Sequence, residues 1–282
     1  RGIDALTGSP FPDVTADAHR PVIAPAIAIE RFENIPSTSD LAKKRAEDGA
    51  PAWTVIVASS QSAGRGRHQR HWISPPGNLY CSVILRPETS PAKSAELSFV
   101  TALTAADVIS ELLPESDVRL KWPNDVLISG KKIAGLLLEA GPVDLTGLGP
   151  WIVIGLGVNI SSHPDDVEYP VTSIHAERNA SYPSPATLLS EYLDALVVRL
   201  AEWREMGFAA TRAAWLKRAY GLGEPATVRH ADGDIRGIFI DIDENGGFIL
   251  EMEEGKRRTI TGGAIYFDSG LGPGDQTHTS IG

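Results

Sequence analysis

The apolar residues of this chain repeat with two different periods, and the alternation of those periods limits the folds available to it. Residues 94–113 and 187–206 place apolar side chains at helical spacing, which predicts two long amphipathic helices. Shorter helices are predicted over residues 37–48, closed by Gly49, and over residues 208–220. Runs of strand length occupy residues 26–32, 53–59, 79–86, 118–122, 125–128, 133–139 and 151–160. We therefore predict an α+β fold in which packed helices cover a mixed or antiparallel sheet.

The texture of the sequence changes after Gly221 and Gly223. From residue 224 to residue 267, short β-type runs alternate with turns rich in glycine, aspartate and asparagine, a pattern typical of hairpins. This pattern predicts a small C-terminal β barrel of the SH3-like kind. The expected organisation is a loose lead-in, a large domain, the barrel and a tail, at residues 1–25, 26–221, 222–270 and 271–282.

Composition excludes several classes of protein. The formal net charge of -10 argues against non-specific nucleic-acid binding, which needs a basic surface. The single cysteine, Cys81, lies in an apolar run, so a disulfide framework is excluded and a reducing compartment is expected. No apolar run reaches the roughly 18 residues of a membrane span, and no signal-peptide core is present, so we expect a cytoplasmic protein without membrane contact.

A basic, glycine-rich loop stands out against this acidic background. Residues 64–72 read GRGRHQRHW, and no acidic residue occurs between Asp48 and Glu88. The same region holds Arg65, Arg67, Arg70 and Arg86. Such a run is ordinarily a solvated basic face. Because this loop lies between two strands, where glycine lets backbone amides approach a ligand, we instead predict a small anionic ligand.

Several common nucleotide and nucleophile motifs are absent. Gly130 precedes two lysines but belongs to no Walker loop, and neither Gly64-x-Gly66 nor Gly155-x-Gly157 completes a dinucleotide fingerprint. No G-x-S-x-G elbow supplies a serine nucleophile. The remaining glycine-rich and charged segments must carry any chemistry.

Four of those segments, in this order, resemble the motifs of biotin protein ligases. They are Gly64-Arg65-Gly66-Arg67, Lys121-Trp122-Pro123-Asn124-Asp125, Lys132-Ile133-Ala134-Gly135-Leu136 and Gly155-Leu156-Gly157-Val158-Asn159. The residues 37–39 and Gln61 match two further positions of that family. The resemblance implies a catalytic domain like those of class II synthetases and biotinyl or lipoyl ligases. Because residues 1–25 leave no room for a helix-turn-helix, it points to the form without a DNA-binding domain.

The reaction implied by the resemblance has two steps. Biotin and MgATP would form biotinyl-5′-adenylate and pyrophosphate, and a lysine of a biotin carboxyl carrier protein would then accept the biotinyl group. ATP, Mg²⁺ and biotin are thus the expected small molecules. A lipoate ligase and a non-catalytic biotin or nucleotide sensor remain as alternatives.

The resemblance also implies roles for individual residues. Those with a catalytic role would be Arg65, Arg67 and Lys132. Those that bind biotin would be Ser37, Thr38, Ser39, Gln61, Arg65, Gly66, Arg67, Lys132, Gly135, Leu136, Gly155 and Gly157. Those that bind ATP would be Arg67, Arg70, Trp72, Lys121, Asn124 and Asn159. Asp125 would bind Mg²⁺.

Some of these residues also suit purely structural roles. Residues 37–39 offer helix caps, Lys132 reads equally as a surface lysine in a turn, and Asp125 as a turn cap. Two positions depart from the family pattern: Gln69 stands where glycine is common, and Ser39 where many members have asparagine. We expect the basic loop to be mobile when the site is empty. A strand after Trp151 is expected at a sheet edge, where it would support a homodimer or dock the acceptor.

Overall fold

The computed structural model describes residues 25–67, 70–87, 89–142, 151–167, 169–178, 181–229 and 233–267. The predicted tail lies outside the described residues, as does the predicted lead-in apart from residue 25. Gln69, the position that departs from the family pattern, also lies outside them.

A mixed sheet of seven strands forms the body of the protein, as the sequence predicts. In chain order the strands are β1 (Ala28–Ile35), β2 (Thr54–Gln61), β3 (Leu79–Leu85), β4 (Val118–Lys121), β5 (Asp125–Ile128), β6 (Lys131–Ala140) and β7 (Ile152–Val158). Their order in space is β1-β2-β3-β7-β6-β5-β4. Only the β1–β2 pair is parallel in this sheet, and the other pairs are antiparallel.

Helices cover the sheet on both faces. In chain order they are α1 (Thr38–Glu47), α2 (Pro91–Ala95), α3 (Leu97–Leu112), α4 (Ile174–Glu177), α5 (Pro185–Met206) and α6 (Phe208–Lys217). The predicted single helix over residues 94–113 is in fact two helices. An earlier start is favoured because Ser90 caps α2, accepting a hydrogen bond from the Lys93 amide, and proline follows the cap.

The strand after Trp151 occupies the centre of the sheet, so its prediction as an edge strand is wrong. Strand β7 pairs with β3 on one side and β6 on the other, with Val158 opposite both Leu79 and Ala134. Its apolar run is buried on both faces, which a central strand requires and an edge strand does not. The edges are β1 and β4, and the β4 residue Leu120 exchanges backbone hydrogen bonds with Arg218 and Tyr220.

Two apolar clusters hold the sheet to its helices. The smaller lies under α1, where Ala42 and Ala46 pack with Ile56 and Ile84 of the sheet. Arg86 closes the end of this helix by donating hydrogen bonds to the carbonyls of Ala46 and Ala50. This arginine of the basic region therefore contributes to the helix end.

A second sheet of five antiparallel strands follows the helices, which confirms the predicted small β domain. Its strands are β8 (Pro225–Arg229), β9 (Ile235–Ile242), β10 (Phe248–Glu251), β11 (Arg257–Ile260) and β12 (Ala264–Phe267), in the order β11-β10-β9-β8-β12. It packs on the large domain through Trp122, whose Nε1 donates to the Gly246 carbonyl at 2.8 Å. The Trp122 ring also lies 5.6 Å from that of Phe248.

No helix within the described ranges combines the length and apolarity needed to cross a membrane.

Candidate active site

A pocket opens over the middle of the large sheet and is partly covered by the C-terminal sheet. Most segments that the sequence singles out contribute to it, including the basic loop, the Lys121–Asp125 turn and the glycines of β6 and β7. Every residue of the predicted site lines this pocket except Ser37 and Asn159. Segments far apart in the sequence thus meet at one place.

One wall of the pocket is a chain of hydroxyl and amide groups. The Ser82 hydroxyl donates to Thr38 Oγ1 at 2.9 Å and lies 3.2 Å from Ser39 Oγ. The Thr38 amide donates to Gln61 Oε1 at 2.8 Å, which fixes the glutamine side chain at the same wall. Ser37 instead caps α1 by accepting from the Asp40 amide. The wall can therefore both donate to and accept from a polar ligand.

Ser82 is not among the residues that the sequence predicts for the site. It is a polar residue in the middle of an otherwise apolar, fully buried strand, and that contrast is the sequence signal that marks it.

The floor of the pocket consists of glycines because side chains do not fit there. Gly135 and Gly157 lie opposite each other in the β6–β7 ladder, beneath the indole of Trp72. A Cβ atom at Gly157 would approach Trp72 Cε2 to 2.6 Å, and one at Gly155 would approach Ser39 Oγ to 2.6 Å. Such contacts are far inside van der Waals separation, so only glycine lets the Trp72 indole and the Ser39 hydroxyl pack this closely against the floor.

Lys132 projects into the pocket between two aromatic rings. Its Nζ lies 5.2 Å from the centre of the Trp72 ring and 5.5 Å from that of Tyr169, and it forms an ion pair of 2.7 Å with Asp125 Oδ1. The side chain is only 15% exposed, so it is no ordinary surface lysine. The rings favour a cation at this position. Tyr169 belongs to no sequence motif and is absent from the predicted site.

Cations outnumber carboxylates around the same cavity. Burial lowers the pKa of Arg67, and the neighbouring Arg70 lowers it further against the opposing effect of Asp125. Burial also lowers the pKa of Lys121, with Lys132 and Arg70 adding to the effect while Asp125 opposes it. Both shifts mean that the surrounding protein does not fully balance the charges of these two cations. A bound anion would relieve this cost.

Arg65 also lines the pocket, but its charge is balanced by carboxylates. Its guanidinium forms ion pairs with Asp40 and, at 2.9 Å, with Glu139. In contrast, Arg67 forms no ion pair with any residue that the structure describes, and it lies over the ring of Trp122 at 6.0 Å. The two arginines of the motif therefore have different surroundings.

The two predicted asparagines donate hydrogen bonds to backbone carbonyls. The Asn124 amide donates to the Leu136 carbonyl, and the Asn159 amide donates to the Thr172 carbonyl at 3.0 Å outside the pocket. The C-terminal sheet adds Arg229 and Tyr266, with the guanidinium 4.4 Å from the ring centre. They come from a domain whose sequence carries no motif of its own.

A magnesium ion fits this set of donor atoms only if a bound ligand supplies further oxygen atoms. Asp125 is the one carboxylate among the described lining residues, and no group of three metal-ligating side chains occurs in the described part of the chain. Mg²⁺ bound to nucleotides takes one or two carboxylates and completes its octahedron with phosphate oxygens and water. One carboxylate beside a set of phosphate-seeking cations is compatible with that arrangement.

Comparison with known proteins first identifies the class of protein to which this chain belongs. Residues 31–159 match the model of the biotin/lipoate A/B protein ligase family, and residues 221–268 match that of the biotin protein ligase C terminal domain.

Individual relatives define the family more narrowly. The chain is 38% identical over 229 residues to a biotin--[acetyl-CoA-carboxylase] ligase of Paracoccus denitrificans, a match that covers 77% of this chain and 90% of the relative. A ligase of the same name from Mycobacterium tuberculosis is 30% identical over 221 residues, covering 77% and 80%. The biotin protein ligase of Aquifex aeolicus in complex with biotin and ATP superposes with a TM-score of 0.72 at 25% identity, over 85% of this chain and 98% of that one. This chain belongs to the biotin protein ligase family.

Proposed function

We propose that this protein activates biotin with ATP to biotinyl-5′-adenylate and then transfers the biotinyl group to a lysine of a biotin carboxyl carrier domain. One observation carries the proposal: a slot with a glycine floor and a hydroxyl wall lies beside cations whose charge the protein's carboxylates do not fully balance. The slot suits an uncharged bicyclic ring with polar edges, and the cations suit a carboxylate held against phosphates.

The biotin ring system lies, in this proposal, beside the Trp72 indole and next to Gly155. Its ureido group exchanges hydrogen bonds with Thr38, Ser39 and Gln61, whose polar atoms line that wall. Ser37 contributes by fixing the start of α1, through its cap. The hydroxyl wall thereby orients the ring so that the carboxylate of the side chain points towards Lys132.

Two anions must approach each other in the first step. An oxygen of the biotin carboxylate attacks the α-phosphorus of ATP, a P–O bond forms, and the bond to the departing pyrophosphate breaks. Lys132 holds the carboxylate, while Arg67, Arg70 and Lys121 face the phosphates. Fixed cations in a half-buried pocket stabilise the charge that accumulates at phosphorus.

The second step uses the same cations. The neutral ε-amine of the acceptor lysine attacks the acyl carbon, an amide bond forms, the C–O bond to AMP breaks, and the amine loses a proton. Lys132 stabilises the negative charge that develops on the carbonyl oxygen, and Arg67 stabilises the departing phosphate. Mg²⁺, when bound at Asp125 and the nucleotide, supplies further charge neutralisation at the phosphates.

Recognition of ATP involves both domains. We place the nucleotide beside Trp72 and Asn124, with Arg229 and Tyr266 of the C-terminal sheet also lining its part of the pocket. The acceptor is a carrier domain of a biotin-dependent carboxylase such as acetyl-CoA carboxylase. The domain boundaries at residues 26–221 and 222–270 remain predictions. A homodimer also remains a prediction, and analytical sedimentation would measure the oligomeric state.

Exchange of labelled pyrophosphate into ATP tests the first step. We expect exchange that depends on biotin and is absent with lipoate or with no acid. Exchange that prefers lipoate would identify a lipoate ligase instead. Biotin binding by calorimetry without exchange would identify a non-catalytic sensor.

A further inference from the structure

Three hydroxyl groups meet at the wall of the pocket, and one of them lies behind the other two. Ser82, in the middle of β3, is 0% exposed and is not a lining residue. Its Oγ lies 2.9 Å from Thr38 Oγ1 and 3.2 Å from Ser39 Oγ, and both of those residues do line the pocket. The buried hydroxyl is therefore one hydrogen bond away from any ligand that contacts the wall.

The glycine floor brings these hydroxyls together. Ser82 pairs with Gly155 in the β3–β7 ladder, and a Cβ atom at Gly155 would lie 2.6 Å from Ser39 Oγ. The missing side chain thus gives Ser39, at the start of α1, the space to approach the sheet. The adjacent Thr38 is held by its backbone amide, which donates to Gln61 Oε1 at 2.8 Å. The sheet and the start of α1 together fix the geometry.

Counting protons gives these hydrogen bonds a direction. A serine or threonine hydroxyl has one proton to donate and two lone pairs that accept. Because Ser82 donates its proton to Thr38 Oγ1, its contact with Ser39 is a hydrogen bond only if Ser39 is the donor. Ser39 then offers only lone pairs to a ligand. Thr38 keeps its own proton, which no residue in the described part of the chain accepts, so Thr38 can donate to a ligand.

The neighbouring side-chain amide also has a fixed direction. Gln61 Oε1 accepts from the Thr38 amide, and Gln61 Nε2 donates to Ser74 Oγ at 2.9 Å. Ser74 donates its own proton to the Trp72 carbonyl at 2.8 Å, so it meets the glutamine with a lone pair. A flipped amide would lose both partners. One N–H of Gln61 is left to donate to a ligand, as the hydroxyl of Thr38 is.

We propose that Ser82 is a positioning residue that fixes which wall groups donate and which accept, and that this direction selects a cyclic urea. The urea of biotin presents a carbonyl oxygen that accepts and ring N–H groups that donate. The oxygen matches the protons of Thr38 and Gln61, and a ring N–H matches the lone pairs of Ser39. The inference rests on the proposed function, because it requires the ring of biotin in this slot.

A cyclic guanidine of the same shape reverses one of these matches. Iminobiotin carries nitrogen in place of the ureido oxygen, and in its protonated form it presents only N–H groups at that position. Two donors would then face each other at Thr38, which loses the hydrogen bond and leaves desolvated donors unpaired. The unaltered protein should therefore prefer biotin. Without Ser82, the hydroxyls of Thr38 and Ser39 can reorient, and the preference should fall.

Calorimetry with Ser82→Ala measures this preference without relying on catalysis. Biotin and iminobiotin are each titrated at one pH and one salt concentration, so that the charge of iminobiotin is the same for both proteins. In Ser82→Ala we expect the ratio of the two dissociation constants to shift about tenfold in favour of iminobiotin, the effect of one ordinary hydrogen bond. An unchanged ratio would overturn the inference.

A matched control removes another fully buried hydroxyl. Thr101 on α3 is 0% exposed, donates to the Leu97 carbonyl at 2.7 Å and is not a lining residue. Thr101→Val should leave the ratio unchanged, and a shift equal to that of Ser82→Ala would contradict a specific role for Ser82. If Ser82→Ala does not fold, Ser82→Cys replaces it, because a thiol donates only weakly and the ratio should shift in the same direction.

The kinetic constants provide a second readout. Because the wall holds the ring and not the carboxylate, Ser82→Ala should raise the KM for biotin in pyrophosphate exchange about tenfold and change kcat by less than about threefold. A lower kcat at an unchanged KM would contradict a role in recognition of the ring. If the unaltered protein binds neither compound, the proposed function fails and this inference fails with it. Biotin binding with an unchanged ratio removes the Ser82 inference alone.

Discussion

Surroundings, more than residue type, decide what each basic side chain of this protein can do. Arg65 is neutralised by two carboxylates, whereas Arg67 is half-buried with no ion pair in the described structure. Lys131 and Lys132 are neighbours in sequence, yet Lys131 pairs with Glu177 and Lys132 lies between two rings in the pocket. Alternation of side chains along β6 sends the two lysines to opposite faces.

The paired lysines provide a test with an internal control. Lys132→Ala should lower the rate of carrier biotinylation by on the order of 100-fold, because a charge directed at the reacting oxygen is lost. Lys131→Ala, one residue away and outside the pocket lining, should change the rate by less than about threefold. Rates are measured by labelled biotin incorporation, with circular dichroism to check the fold. Full activity in Lys132→Ala would remove this residue from the mechanism.

Glu177 should contribute to the pH dependence of stability. Burial alone would raise its pKa, but hydrogen bonds from Lys131 and Thr172 outweigh that effect and lower the pKa below the ordinary 4.5. The ionised carboxylate therefore stabilises the fold above pH 4.5, and this contribution disappears as the pH falls through the lowered pKa.

Glu177→Gln removes that contribution selectively. We expect the free energy of unfolding in urea to fall by about 1 kcal/mol at pH 7 and to be little changed at the acid end of the range, where the native carboxyl is protonated. An equal loss of stability at both pH values would show that the residue acts through packing and not through its charge.

At the scale of helices and strands, the local sequence pattern predicts that an element forms better than it predicts where that element lies in the fold. Helices α1 and α5 and strands β2, β3 and β7 occur close to their predicted positions, because capping residues and apolar periodicity are local signals. The central position of β7 was not predicted, because pairing partners depend on contacts between segments far apart in sequence. Helix α4, only four residues long, gave no periodic signal.

The same distinction applies to the site. Residues in motifs, such as Lys132 and Gly157, do line the pocket, since the motifs mark the segments that meet there. Tyr169 and Arg229 were missed because only the tertiary structure brings their segments to the pocket. Ser82 was missed because only the tertiary structure brings it to the hydroxyls of Thr38 and Ser39.

The glycine floor of the sheet should be sensitive to a single methyl group. Gly157→Ala places a Cβ atom 2.6 Å from the Trp72 indole, so either the ring or the strand must move. We expect biotin binding, measured by calorimetry, to weaken about tenfold or more, as overpacking of this kind costs. Gly262→Ala is the control, because its Cβ meets nothing within 4 Å. Unaltered affinity in Gly157→Ala would argue against the proposed slot.

At the scale of the whole molecule, the two sheets share one apolar cluster. Residues of both domains belong to it, among them Trp122 from the large domain and Phe248 from the small one. The C-terminal sheet also lines the pocket, so docking of the two domains and formation of the site are coupled. We expect urea unfolding in a single cooperative transition that is seen equally by fluorescence and circular dichroism.

Trp122 should contribute measurably to this docking. Trp122→Phe removes the Nε1 donor and leaves the Gly246 carbonyl without its partner. The expected loss of stability is about 2 kcal/mol, typical of a buried carbonyl left unsatisfied. Two separate unfolding transitions in this variant would show that docking depends on the indole, whereas unchanged stability would show that the hydrogen bond contributes nothing.

Transfer of biotin to a carrier domain tests the central claim most directly. The purified protein is incubated with biotin, MgATP and a biotin carboxyl carrier domain, and the intact mass of the carrier is measured. We predict the gain of one biotinyl group on a single lysine, dependent on ATP and lost when that lysine is replaced by arginine. A carrier whose mass stays unchanged, or one that gains biotin without ATP, would contradict this account.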